Sequence, residues 1–182
     1  MSTANFPTLV RAVVSSSVSD SWDVAKTEWD VAEVEEDPSA DGICVCGQMG
    51  LASLFTIKNK RNGSELFPIG STCVNQFGRS DLNSQLTVLS DLLKLRAAIR
   101  ERKAIALDSE LFSRAMLEDL YEAGAFTPDQ YNGGDGGNDY DFLLKMFNKR
   151  NKDDITRPQR NKISVLLNKK VIPFVLEDPR LG

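Results

Sequence analysis

Cys44-Val45-Cys46-Gly47-Gln48, answered some twenty residues later by Pro68-Ile69-Gly70-Ser71-Thr72-Cys73, is the stretch on which the fold turns. Two thiols one residue apart before a glycine make a knuckle. The third follows a Gly-Ser pair that opens a helix, where the helix dipole favours a thiolate. Between them Leu51 to Lys58 reads as a strand, with Leu51, Phe55 and Ile57 available for packing. Asn59-Lys60-Arg61-Asn62-Gly63 reads as a turn ending in the Asn-Gly signal, and Glu65 to Ile69 as the returning strand. Knuckle, hairpin and helix start, each end carrying thiols, is the layout of a small zinc module of treble-clef type with Cys44, Cys46 and Cys73 as ligands. Val74 and Phe77 would plug the helix onto the hairpin.

Two features depart from that layout. The knuckle is C-x-C, and the helix supplies one cysteine where a second ligand would be usual, with Gln76 in its place. Structural zinc takes four ligands and only three thiols exist. Asp41, Asp81, a backbone group, water or a thiolate from another copy of the chain are the candidates for the fourth. Water there would leave the open position that Lewis-acid zinc keeps. The competing readings are a metal-free relic, with the cysteines acting as small buried hydrophobes, and redox or nucleophilic use.

Composition limits the chemistry. The chain has 182 residues, 41% hydrophobic and 26% charged, enough for one core or for one core plus a metal-stapled satellite. It has no histidine, so a Ser-His-Asp triad, a Cys-His pair and an imidazole zinc ligand are all excluded. An odd cysteine count with two thiols so close argues against a disulfide framework and for reduced thiolates in a cytoplasm. No apolar run reaches membrane-helix length and Met1 to Pro7 lacks a signal-peptide pattern, so the expectation is a cytoplasmic protein, neither inserted nor secreted. Charge is uneven. Residues 1–43 carry nine acids against two bases, and residues 145–170 carry nine bases against two acids. Such a basic end, together with the hairpin tip, can face a polyanion, or it can be an ordinary solvated face. The candidate contacts are Lys58, Lys60 and Arg61 at the tip and Lys149, Arg150, Lys152, Arg157, Arg160 and Lys162 near the end.

The expected architecture is α+β: a treble-clef-like zinc hairpin module packed on a mainly α-helical C-terminal bundle. Residues 1–19 read as a loose arm or a short docking helix. Residues 20–80 hold a helix, a strand and the hairpin module, and residues 81–182 the bundle. After Ser19-Asp20, Trp22, Ala25 and Trp29 fall at i, i+3 and i+7, which predicts a helix with both indoles on one face as core anchors, then a strand through Val31 and Val34. Leu82, Leu86, Leu89, Leu93 and Ile99 predict a long helix to about Lys103, and a second is expected from Asp108 to a stop at Gly124. Thr127-Pro128-Asp129-Gln130 has capping-box form and predicts a short helix, Gly133 to Asn138 a flexible connector, and Tyr140 to Phe147 another helix. Thr156-Arg157-Pro158-Gln159 predicts the start of a last helix, and Val171 to Leu176 an apolar tail that docks back.

The cysteine motif, with Leu54 to Lys60, Asn62-Gly63, Pro68 to Val74 and Phe77, resembles a group of small uncharacterised proteins of bacteriophages, prophages and other mobile elements, chiefly of Gram-positive bacteria. Ser21 to Trp29, Phe112 to Arg114, Leu120 to Phe126 and Asp141 to Arg150 extend that resemblance over most of residues 20–175. It implies an architecture and a mobile-element origin in a bacterial host cell, and no established activity. The functional expectation is therefore a non-enzymatic protein that binds nucleic acid or a bacterial protein around a structural zinc. One alternative is a counter-defence inhibitor of a host enzyme. Another is a metal-dependent nuclease or hydrolase using the carboxylates Asp135, Asp139, Asp141, Asp153 and Asp154, but their spacing matches no divalent-metal loop, and a flexible surface loop accounts for them better.

Overall fold

A computed structural model describes residues 5–182, so positions 1–4 of the expected N-terminal arm lie outside the described residues. Two units divide inside one long helix: residues up to Ser90 together with Pro179–Gly182, and Asp91–Asp178. Helices and a small antiparallel sheet make the class α+β.

In the first unit, α1 (Phe6–Ser15) starts with Pro7 in its first turn, where a missing N–H costs nothing, and buries Leu9 and Val13. Within the stretch read as an arm, residues 6–15 are therefore helical with an inward face. The helix expected to reach Trp29 stops early: α2 is only Trp22–Ala25, and Trp29 opens strand β1 (Trp29–Glu36). The physical reason is pairing. β1 runs antiparallel to β4 (Ser53–Asn59) from Trp29 opposite Asn59 onward, and this ladder overrides the helical spacing of the indoles. Trp29 is fully buried and its Nε1–H donates to Ser17 Oγ at 2.8 Å. Trp22 is half-buried and meets Phe6 and Phe77 edge-on, with centroids 5.6 and 5.3 Å away.

The sheet order is β1-β4-β5, with β5 at Glu65–Ile69, so the central strand β4 buries Phe55 and Ile57. The β1 register slips between Val31 and Glu33, and the Val31 N–H donates instead to Gln85 Oε1 at 2.9 Å on α4 (Ser80–Arg100). That bond helps explain why the unit boundary falls within α4, beyond the 80/81 break read from sequence. The chain end returns to the same sheet: Val34 N–H donates to Arg180 O at 2.8 Å and Gly182 N–H to Val34 O at 2.9 Å. β2 (Gly42–Ile43) and β3 (Met49–Leu51) form a separate two-stranded ribbon, and α3 (Ser71–Asn75) follows β5.

The second unit continues α4 into α5 (Arg114–Glu122), α6 (Gly137–Phe147), a 3₁₀ turn (Lys152–Asp154), α7 (Arg157–Leu166), a π-helical turn (Leu167–Val171) and α8 (Ile172–Glu177). The helix expected from Asp108 begins at Arg114, because Asp108 Oδ1 accepts the N–H groups of Glu110 and Leu111 in a local turn while Ser113 Oγ caps the Met116 N–H. No helix starts at Thr127. The Asp129 carboxylate takes the N–H groups of Tyr131 and Asn132, which commits the segment to a turn. Nor is the glycine run a plain connector: α6 begins within it, and a Cβ at Gly136 would lie 1.8 Å from the Phe126 carbonyl oxygen. The box at Thr156 forms in both directions, and the expected apolar tail is the π turn and α8, which bury Val171 and Val175. Among the described residues no helix is long and apolar enough to cross a membrane.

Candidate metal centre

Backbone bonds shape the knuckle before any metal is considered. Cys44 N–H donates to Gln48 O at 2.8 Å and Gly47 N–H to Cys44 O at 2.7 Å. Gly47 sits at φ +88°, the left-handed conformation that glycine adopts without Cβ strain. Val45 N–H donates to Pro68 O at 2.9 Å, tying the knuckle to β5 just before α3 starts. Cys73 lies in the first turn of α3, its N–H donating to Gly70 O at 2.9 Å. The hairpin therefore delivers the third thiol to the other two.

The three sulfurs converge. Cys73 Sγ lies 3.1 Å from Cys46 Sγ and 3.5 Å from Cys44 Sγ, and all three lie within 4.8 Å of one another. Their residues are 3%, 3% and 1% exposed for Cys44, Cys46 and Cys73, and none is in a disulfide. The Cys73 thiol hydrogen-bonds to Cys44, and the backbone N–H groups of Cys46 and Gly70, the latter at 3.4 Å, also point at that sulfur, so the Cys44 thiol is lowered to about 5. The Cys73 thiol is pushed up by that same hydrogen bond to Cys44 and by burial. The Cys44 proton is thus easily lost, while that of Cys73 is held until a cation takes its place. Three buried thiolates without a cation would be prohibitively expensive. In a tetrahedron with metal–sulfur bonds of about 2.3 Å the sulfurs stand about 3.8 Å apart, so a small opening of the present cluster admits an ion. The three buried cysteines could therefore hold a metal.

The carboxylates considered for a fourth position stand elsewhere. Neither Asp41 nor Asp81 lies within 4.8 Å of all three sulfurs. Asp41 is exposed and its N–H donates to Asp37 Oδ2. Asp81 is exposed and bonded to Arg79, whose hydrogen bond holds its carboxyl below the usual range. Gln76 is exposed beyond the end of α3. Among the described residues no other cluster of cysteine and carboxylate ligands forms, and Asp139 is instead bonded to Lys170.

The basic candidates are largely occupied. At the hairpin tip Lys58 faces Glu65 at 3.0 Å, Lys60 faces Asp30 at 3.4 Å and Arg61 faces the buried Glu28 at 3.3 Å. Near the end, Lys149 donates to Asp154 O, Lys152 to the last carbonyls of α6 at Met146 and Phe147, and Arg160 to Ile155 O and Lys152 O. Lys162 lies 3.7 Å from Asp139 Oδ1. Arg150 and Arg157 are exposed and make no hydrogen bond or ion pair among the described residues. Sequence reasoning found the thiols and missed the Gly70 N–H that points at Cys44; the Gly-Ser pair opening α3 was the available signal.

No family model matches the chain, and no curated protein and no solved structure matches it.

Proposed function

We propose that this chain is a macromolecule-binding protein without catalysis, in which zinc on Cys44, Cys46 and Cys73 staples a treble-clef-like hairpin module. The observation that carries the reading is the convergence of three buried sulfurs from a knuckle and a helix start separated by a hairpin. Zinc follows from an all-thiolate donor set in a small closed site. Burial of every donor fits a structural ion better than a Lewis acid facing substrate. The fourth donor falls to water, a backbone group or a second chain. The resemblance of the cysteine motif supports an origin in a phage or other mobile element of a bacterial cell.

The partner is read as a protein. All three tip cations already face carboxylates, which weakens their draw on phosphates. Beside the knuckle, Ile43 and Met49 are paired across β2 and β3 yet 55% and 73% exposed. A nucleic-acid partner is the second reading, favoured by the unpaired Arg150 and Arg157. Native mass spectrometry of the full chain decides the metal. One zinc per chain, removed by chelator and absent in Cys73→Ser, is expected, and a chain that takes up no metal when refolded with zinc refutes the staple. A labelled-DNA polarisation titration with no salt-sensitive binding eliminates the second reading.

A further inference from the structure

The second unit contains a cavity of about 740 Å³ that plays no part in the metal centre. That volume lies within the range of small-ligand sites. Its floor is an ionic network: Lys170 Nζ donates to Asp139 Oδ2 at 2.6 Å, Asp129 Oδ2 at 2.7 Å and Thr127 O at 2.8 Å. Asp139 Oδ2 also accepts from Asn132 Nδ2 at 2.9 Å. The side chains of Asp139 and Lys170 are only 3% and 11% exposed, and all three ammonium protons are used. This floor is a rigid support with nothing left to offer a ligand.

The rim has the opposite character. Val165 forms an apolar wall and is 57% exposed, and Tyr131 stands at the mouth 85% exposed. Tyr131 is pinned all the same: its N–H donates to Asp129 Oδ1 at 2.7 Å, on the carboxylate whose other oxygen holds Lys170. The backbone bond holds the segment that carries the ring, and the exposed ring offers its face for stacking. Two further ammonium groups line the same cavity. Lys169 makes no hydrogen bond or ion pair among the described residues, and Lys162 reaches Asp139 only at 3.7 Å while lying 4.6 Å over the Phe142 ring.

The backbone gives a second, independent observation. Lys169 and Lys170 both lie on the π turn Leu167–Val171, between α7 and α8. Such turns are rare and recur at functional sites, because the extra residue re-aims side chains that a regular helix would direct elsewhere. Here neighbouring lysines both line the cavity, one consumed by the floor and one left over at the rim. With two aspartates and three lysines the lining carries one net positive charge.

We propose that this cavity binds a nucleoside phosphate, its base against Tyr131 and Val165 and its phosphate at Lys169 and Lys162. An open ring face favours a flat heterocycle over a side chain that needs a socket, and the Lys169 ammonium, with no ion pair among the described residues, favours an anion over a neutral ring. The same unit is presented by a free nucleotide or by the phosphorylated end of a strand.

Calorimetric titration of the full chain with AMP, GMP, CMP and UMP, with adenosine, and with a single-stranded oligonucleotide bearing a 5′-phosphate tests it. At least one monophosphate or the strand end should bind, and removing the phosphate should weaken binding about tenfold or more. Tyr131→Ala and Lys169→Glu should each weaken it about tenfold while leaving the unfolding midpoint unchanged, since both side chains are exposed. Tighter binding of the strand end than of any free nucleotide assigns the ligand to nucleic acid, and the reverse assigns it to a metabolite. Absence of binding by every probe up to about 1 mM, or wild-type binding by both variants, overturns the proposal. These outcomes do not depend on whether zinc binds the cysteines.

Discussion

Glu28 shows how one residue organises the hairpin end of the first unit. It is 2% exposed, and its carboxylate accepts from the N–H groups of Val18 and Ser19, from Asn59 Nδ2 and from Arg61. Burial alone would push its carboxyl up, but the bond from Asn59, those from Val18 and Ser19, and the Arg61 charge more than offset this, so it stands below its ordinary 4.5. A carboxyl depressed in the folded state contributes stability that is fully present above its unfolded value and is lost as pH falls through the folded one. Glu28→Gln should therefore be less stable than wild type near pH 7, and the gap should narrow as the buffer approaches pH 3, which urea midpoints across that window will show. If the gap is constant with pH, the charge on Glu28 contributes nothing to stability. Gly136 makes a purely steric case. Any Cβ there meets the Phe126 carbonyl, so Gly136→Ala should destabilise by about 1–3 kcal/mol in urea unfolding.

At the scale of elements, local signals were readable where nothing distant competed. β5 occupies the residues its pattern marks, α5 stops at Gly124 with φ +87°, and Thr156 and Gln159 close their capping box. Thr156→Ala should cost about 1 kcal/mol, measured by thermal or urea unfolding, because it removes one accepted N–H while the rest of α7 stays intact. A change within error would mean that solvent serves that N–H equally well. Reading failed where a side chain was claimed by something remote in sequence. Trp29 has helical spacing from Trp22, but the ladder to β4 lies thirty residues away and no local window reveals it. Thr127 to Gln130 has the letters of a capping box, yet Asp129 is held by Lys170, whose distance in sequence hides it. The thiol cluster was legible because cysteine has few other uses at such spacing, whereas the cavity was not: Tyr131, Lys169 and Lys170 are common residue types that only the fold brings to one cavity.

For the whole molecule, the division into two units separates the consequences of losing a metal. The sulfur cluster belongs entirely to the first unit, joining the β2–β3 ribbon, β5 and α3, while the second unit is built without it. An ion that binds only the folded cluster stabilises that unit by about 2.7 kcal/mol at a hundredfold excess over its Kd. Without the ion, the knuckle keeps only its backbone bonds and its link from Val45 to Pro68. Hydrogen exchange with and without chelator should therefore show protection falling at residues 42–78, with amides of α6 and α7 unchanged. Cys73→Ser in the presence of zinc should reproduce the chelated pattern, since it removes a sulfur that lies close to both of the others. If chelator leaves residues 42–78 as protected as before, their packing is self-sufficient and the cysteines are only small buried side chains. If α6 and α7 lose protection to the same extent, the two units unfold as one cooperative body, and metal loss at one end is felt throughout the chain.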